Sequence, residues 1–446
     1  LIDPGNQNEE GDKMQFRIIL SVFLLFGLLA GESRANDTKS KSSLLGNGTP
    51  LGSTITISNQ NGLVETHPAT AYNTKRGEYL VVWANDRNAS DDIMGQRVSN
   101  HGGLIGGAFA IAKGTGADRS KPALVYNSTE DQYLVVWEHT ESATGTSVRA
   151  RRVSGTGLVM DLVDIVVRDA GYNLYTPANP AVGYASLTNK YLSIWDETWH
   201  PLPILRTIEG QVVLGTGTLS GNRIPISSDP GSHPRQKPAL AYNALLNDYL
   251  IVWQQWDPGA SLNDIKGRMV KGDGSLTLPE SVTIAAISTS TTSPTVATLE
   301  IPSKEQFLVV FELHYAPGDM NIYGRYVLAG GVLGSGFYIA WSNQIDENSP
   351  SIAPSQTGQY YLVAFNRPSD PPFLFKSING RTVAAEGGSL GPEISLGGIF
   401  ADYPSLAAGS FGDFLVVFDD VPLVADSGIY GRLWGNRLYL PLILSH

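Results

Sequence analysis

The chain contains no cysteine. Disulfide frameworks, thiolate metal sites and lipid attachment through a cysteine are thereby excluded, and stability has to come from a packed core. Charge is scarce too: charged residues make up 16% of the 446 positions, and acids outnumber bases 42 to 31, a formal charge of −11. Nucleic-acid phosphates need a basic surface, so no nucleic-acid partner is expected. Beyond the N-terminus no stretch keeps apolar residues at i, i+3, i+4 and i+7, which removes amphipathic helices from the expected elements. The one sustained hydrophobic run, Ile18 to Ala30, makes about 20 Å of helix, short of a bilayer core of roughly 30 Å.

That run reads as an export signal. Arg17 precedes it, and Ser33-Arg34-Ala35 behind it has the small-x-small form of a cleavage site. Asp3, Glu9, Glu10 and Asp12 do not suit a positively charged leader start, so translation is expected to begin at Met14. Residues 1–35 then form upstream sequence and signal, followed by a 36–52 linker. Five acids and three bases fall within 1–35, which leaves −9 for the secreted part. No membrane span is expected once the signal is removed.

Glycine and proline are plentiful, 48 and 26, and 42% of the chain is hydrophobic. Turns and a core are both implied, and disorder is not. One unit recurs seven times: a proline, a short apolar run, a polar turn, then an aliphatic run closing on an aromatic. The prolines stand at 68, 122, 180, 238, 294, 350 and 404, and the aromatics are Trp83, Trp137, Trp195, Trp253, Phe311, Phe365 and Phe418. Spacings of 53 to 58 residues mark a repeat architecture.

Each unit divides into four strands. Strand A follows the proline and strand B is the aliphatic run, as in Tyr79-Leu80-Val81-Val82-Trp83. Strand C centres on a Gly-Arg or Gly-x-Arg step, and strand D is a short run such as Val282-Thr283-Ile284-Ala285. Strand B is apolar on both faces and must lie between two sheets. Four short antiparallel strands per unit, stacked radially, describe an all-β, seven-bladed β-propeller over 53–434. The stretch 54–58 is a spare strand D with no unit of its own, since Ile57 precedes Pro68 as Ile111 precedes Pro122. It is expected to complete the seventh blade and hide the sheet edges. The rival closing strand, Leu438 to Leu444, is interrupted by Pro441.

The pattern resembles the repeats of bacterial exported propellers, in the company of kelch and WD40 proteins, without the marker residues of either. The 435–446 tail, with its Tyr439-Leu440-Pro441-Leu442, resembles short tails on exported bacterial proteins. The resemblance is to an architecture and implies no particular activity.

An acid after strand B (Glu138, Asp196, Glu312, Asp419) and an arginine in strand C (Arg97, Arg152, Arg268, Arg325, Arg381, Arg432) suggest structural ion pairs across the B–C hairpin. Blade 3 lacks the arginine, which leaves Asp196 and Glu197 without that partner. The B–C loops differ from blade to blade and share one face with the D–A loops, so binding is expected there. Trp199 and His200, Trp256 and Asp257, His314 and Tyr315 stand in those loops of blades 3 to 5. Flat aromatics beside acids suit sugar rings, whose C–H faces stack while hydroxyls donate to carboxylates. The structural alternative is that these rings cap their own blades. No pair of histidines has ligand spacing, so neither metal nor cofactor is expected. The expectation is a secreted, monomeric scaffold that binds an extracellular glycan or cell-surface protein, without catalysis. The alternative is a glycoside hydrolase or lyase using Asp196, Glu197, Asp257 or Asp319.

Overall fold

The computed structural model describes residues 48–435, apart from 61, 87–90, 142–143, 172–173, 201–204, 228–232, 278–280, 302–303, 344, 358, 369–374, 386 and 421–426. The upstream and signal residues expected at 1–35, most of the linker expected at 36–52 and the apolar stretch at 438–444 lie outside the described residues. Among the described residues, twenty-eight strands, β1 (Thr49–Ser58) to β28 (Gly428–Gly435), form seven separate four-stranded antiparallel sheets. Blade 1 is β2-β3-β4-β5, from Val64 to Ala112, and blades 2 to 6 repeat that order. Blade 7 is β26-β27-β28 with β1 as its outer strand, paired from Thr49 opposite Gly435 to Ser58 opposite Ile429. The chain is a seven-bladed β-propeller closed by its N-terminal strand, which begins at Thr49 and so runs further than the sequence pattern indicated.

The packing explains why strand B has no polar face. In β3 (Glu78–Asp86), Tyr79, Val81 and Trp83 pack against Leu415 and Val417 of blade 7. Leu80 and Val82, on the opposite face of β3, pack against Tyr133, Val135 and Trp137 of blade 2. Alternate side chains of a strand point to opposite faces, so each strand B serves two inter-blade cores. Seven such cores run around the ring, each shared by two blades.

The strand C glycine has a packing role. A Cβ on Gly267 would lie 2.7 Å from Cδ1 of Ile284, and one on Gly324 would lie 2.8 Å from Cδ1 of Ile339. The strand D isoleucine occupies the space the glycine leaves. Ile57 of the closing strand fills the same place over Gly431, at 2.9 Å, which accounts for its register with Ile111.

Each strand A carries a bulge before its proline. Strand β2 (Val64–Asn73) pairs Thr66 with Ala84 but Ala69 with Val82, so one extra residue is inserted. Corresponding shifts occur in all seven innermost strands. The proline has no N–H to leave unpaired there. The preceding residue takes a left-handed backbone, with φ of 53° at His67, 48° at Lys121, 51° at Asn179 and 47° at Tyr403. With Lys237, Ser293 and Ser349, which share this backbone, these residues and the seven prolines line an axial mouth of about 370 Å³. Further along the axis, toward the A–B turns, strand A side chains line a wider channel of about 730 Å³.

Candidate functional site

Inter-blade bonds absorb most of the regular charged residues. Glu138 Oε1 accepts the backbone N–H of Asn179 at 2.6 Å, and Asp196 Oδ2 accepts that of Lys237 at 2.9 Å. Glu312 Oε1 accepts Ser349 N–H at 2.8 Å, and Asp419 Oδ2 accepts His67 N–H at 3.3 Å. Each acid thus clamps the strand A bulge of the next blade. The arginines do not meet these acids across the B–C hairpin, which corrects the sequence expectation. In blade 5, Arg325 stands opposite Val309 whereas Glu312 stands opposite Ile322, so register separates them. Arg268, Arg325 and Arg381 instead reach the carbonyls of Ile226, Ile284 and Ile339 in the preceding blade, at 2.7, 2.8 and 2.9 Å. In blade 2 Arg151 does this, bonding Ile111 O at 2.8 Å, while Arg152 pairs with Asp161. Arg97 pairs with Glu78 at the other end of its hairpin.

Blade 3 departs from the others, though not by leaving its acids bare. Asp196 is 2% exposed and also accepts from Asn179 Nδ2 at 2.7 Å. Burial raises its carboxyl to about 6 against those bonds. Glu197 is held by Arg168 of strand D in blade 2 and by Arg223 of its own blade, the latter at 2.9 Å, and accepts from Trp195 Nε1 at 3.2 Å. Arg223 also reaches Glu209 at 3.4 Å, whose carboxyl burial lifts to about 7. Both Glu197 and Glu209 are buried, so this network ties strands together beneath the surface.

The remaining predicted residues reach the expected face, in separate places. Trp199 is 44% exposed and stacks on Tyr175, with ring centroids 6.0 Å apart and Arg168 on that tyrosine's ring at 4.4 Å. His200 bonds Thr176 Oγ1 at 2.8 Å. Trp256 is half-exposed at the end of β15 (Asp248–Asp257), and Asp257 accepts the N–H of Gly259 in its own turn at 2.8 Å. His314 bonds Thr292 Oγ1 at 2.7 Å and lies 3.8 Å from Glu312. Burial alone would raise Glu312, but the neighbouring His314 imidazole and hydrogen bonds from Thr292 and the Ser349 N–H outweigh it and hold the carboxyl at about 2.

Blade 5 gathers two predicted residues into a cavity. Its B–C hairpin is tight: β19 (Lys304–Ala316) and β20 (Asp319–Leu328) are joined by Pro317 and Gly318. Tyr315 leaves the end of strand B there and Asp319 begins strand C. Strand D, β21 (Leu333–Ala340), returns to the same face and delivers Tyr338 and, just beyond it, Trp341. These four residues, with Asn321 and Asn343, enclose about 380 Å³. Tyr315, Tyr338 and Trp341 are exposed, three rings around one hollow. Tyr323 backs Tyr338 edge-on at 5.1 Å, and Asn321 Nδ2 donates to Asp319 Oδ1 at 3.0 Å. Tyr338, Trp341, Asn321 and Asn343 were missed from the sequence. The available signal was Trp341, which stands nine residues before Pro350 where the other units carry small or polar residues and one lysine. Among the described residues, no group of three or more His, Cys, Asp or Glu is placed to share a metal ion.

Neither a known protein family nor a curated protein matches the chain. Solved structures do. A protein of unknown function from Dyadobacter fermentans aligns over 87% of this chain and 99% of its own, with a TM-score of 0.53 and 12% identity. The GH93 alpha-L-arabinofuranosidase of Fusarium graminearum, solved with arabinobiose, aligns over 76% of this chain and 98% of its own, with a TM-score of 0.50 and 12% identity. A puromycin hydrolase matches at the same score and identity, over 84% of this chain and 52% of its own. At such identities the likeness establishes the fold, and proteins with different substrates share it.

Proposed function

We propose that this propeller is a glycan-binding module and that the blade 5 cavity is its saccharide site. The carrying observation is the trio Tyr315, Tyr338 and Trp341 around a hollow that also holds Asp319, Asn321 and Asn343. Exposed rings offer apolar faces to sugar C–H groups, and the carboxylate and amides exchange hydrogen bonds with hydroxyls. The volume falls within the usual range of small-ligand pockets. The resemblance in shape to a propeller solved with arabinobiose supports a saccharide over a protein partner. Export, read from residues 17–35, would place the site outside the cell; among the described residues no helix is long and apolar enough to cross a membrane.

A hydrolase using Asp196, Glu197, Asp257 and Asp319 has less support. Asp196 and Glu197 are buried in inter-blade bonds, Asp257 serves its own turn, and Asp319 alone lines the cavity. Two carboxylates flanking one bond are what glycoside cleavage requires.

The test is a glycan array followed by calorimetry on the best ligand. Trp341→Ala and Tyr338→Ala are expected to weaken binding about fivefold or more each, since ring stacking contributes about 1 kcal/mol or more per face. Trp199→Ala and Trp256→Ala, in other blades, should leave affinity within twofold. An array blank on folded protein, or binding lost only with Trp199 or Trp256, would overturn the assignment.

A further inference from the structure

The blade 5 cavity carries a charge bias that hydroxyl recognition alone does not require. Asp319 is the one charged side chain among its described lining residues, which include no base. Two more acids stand behind. Asp346 Oδ1 accepts the N–H of Met320 at 3.0 Å. Glu347 is fully buried, bonded through Oε1 to Ser342 beside Trp341, and its Oε2 has no hydrogen-bond partner. Arg367, which stands 3.8 Å from Glu347, is taken up by Glu393 at 2.8 Å. The imidazole of His314 is occupied by Thr292. Burial lifts Glu347 to about 7 and leaves it largely protonated at mildly acidic pH, so the hollow presents three aromatic faces and the negative charge of the Asp319 carboxylate, with Asp346 behind it.

That combination is what a cation needs. Ring quadrupoles attract an ammonium at their faces, most strongly for tryptophan, and a carboxylate in a partly desolvated hollow adds Coulomb attraction. An acidic ligand would meet repulsion with no compensating base. We infer that the blade 5 cavity selects an alkylammonium group. On the glycan reading above, from which this takes its ligand source, the bound unit is an amino sugar with a free amine. A small quaternary-ammonium compound offers the same chemistry, and the test distinguishes the two.

Calorimetry on the full chain at mildly acidic pH and low salt would compare glucosamine, N-acetylglucosamine and glucose oligomers of equal length, with tetramethylammonium as a fourth probe. The glucosamine oligomer is expected to bind at least tenfold tighter than the other two saccharides. That advantage should shrink in high salt, which screens charge, and in Asp319→Asn, which keeps the shape and removes the charge. Near-ultraviolet circular dichroism checks that the variant is folded. Equal affinity for the three oligomers would overturn the ammonium selection and leave the glycan reading standing. Tetramethylammonium binding that depends on Trp341, with no oligomer bound, would uphold the cation site and overturn the glycan reading. No binding by any probe would overturn both.

Discussion

Buried carboxyls predict an unusual pH dependence of stability for this protein. Burial lifts Glu209 and Glu347 to about 7 and Asp196 to about 6. Asp419 is lifted to about 7 by burial and then by Asp402, which faces it across the β26–β27 pair. Each of these pKa values is raised on folding. Between the ordinary carboxyl value near 4 and the raised value, the folded state holds a proton the unfolded chain has released. Stability therefore falls as pH rises from about 4 to 7 and levels off above. Glu312 acts in the opposite sense: its value of about 2 contributes stability above 4.5 that is lost as pH falls toward 2. The melting temperature is expected to peak near pH 4–5 and decline toward pH 8. Asp419→Asn keeps an acceptor for the His67 N–H and removes the ionisation. It should raise stability at pH 8 by about 2 kcal/mol, leave pH 4 nearly unchanged, and flatten the profile. A wild-type profile that climbs from pH 4 to 8 would contradict this account.

Legibility changes at the scale of the element. Strand B declared itself because both faces must be apolar when each serves a different inter-blade core, as Tyr79 and Leu80 do. The acid and arginine of each hairpin were equally visible, yet their pairing was misread. Opposite charges on adjacent strands suggest a bridge, but Arg325 finds a carbonyl in the blade before and Glu312 an amide in the blade after. Backbone partners leave no mark in the sequence. The blade 5 cavity was half visible for a related reason: Tyr315 and Asp319 flank a hairpin the repeat makes conspicuous, whereas Tyr338 lies late in the short strand D and Trp341 just beyond it. The arginine clip can be tested on its own. Arg268→Met keeps the aliphatic stem and removes the bond to Ile226 O, 2.7 Å long. It is expected to cost about 1–3 kcal/mol in urea unfolding, because a buried carbonyl loses its charged donor. Gly267→Val should cost at least as much, through contact with Ile284 Cδ1. A neutral result for Arg268→Met would mean the carbonyl is already satisfied elsewhere.

At the scale of the whole molecule, strand β1 fastens the ring, and two effects are combined in it. It supplies Ile57, 4% exposed, to the pocket over Gly431, and it covers the outer edge of β28. Ile57→Ala removes only the first and should cost about 2–4 kcal/mol, comparable to Ile284→Ala in a blade that is continuous in sequence. If closure across the chain terminus carried extra weight, the cost at Ile57 would exceed that at Ile284. A circular permutant separates the second effect. Thr49 pairs directly with Gly435, so a short turn can join them and make blade 7 a continuous four-stranded unit. The new ends would open at residues 59–63, between β1 and β2. Against a parent trimmed to residues 49–435, edge coverage and side-chain packing are unchanged in such a chain, and only the sequence distance between β1 and β28 differs. Loop-closure entropy varies slowly with loop length, so the permutant is expected to melt within about 5 °C of the parent and to fold faster, because the pairing has become local. A large loss of stability in the permutant, with Ile57→Ala no worse than Ile284→Ala, would show that the segment at 59–63 must be intact to hold blade 1 on blade 7.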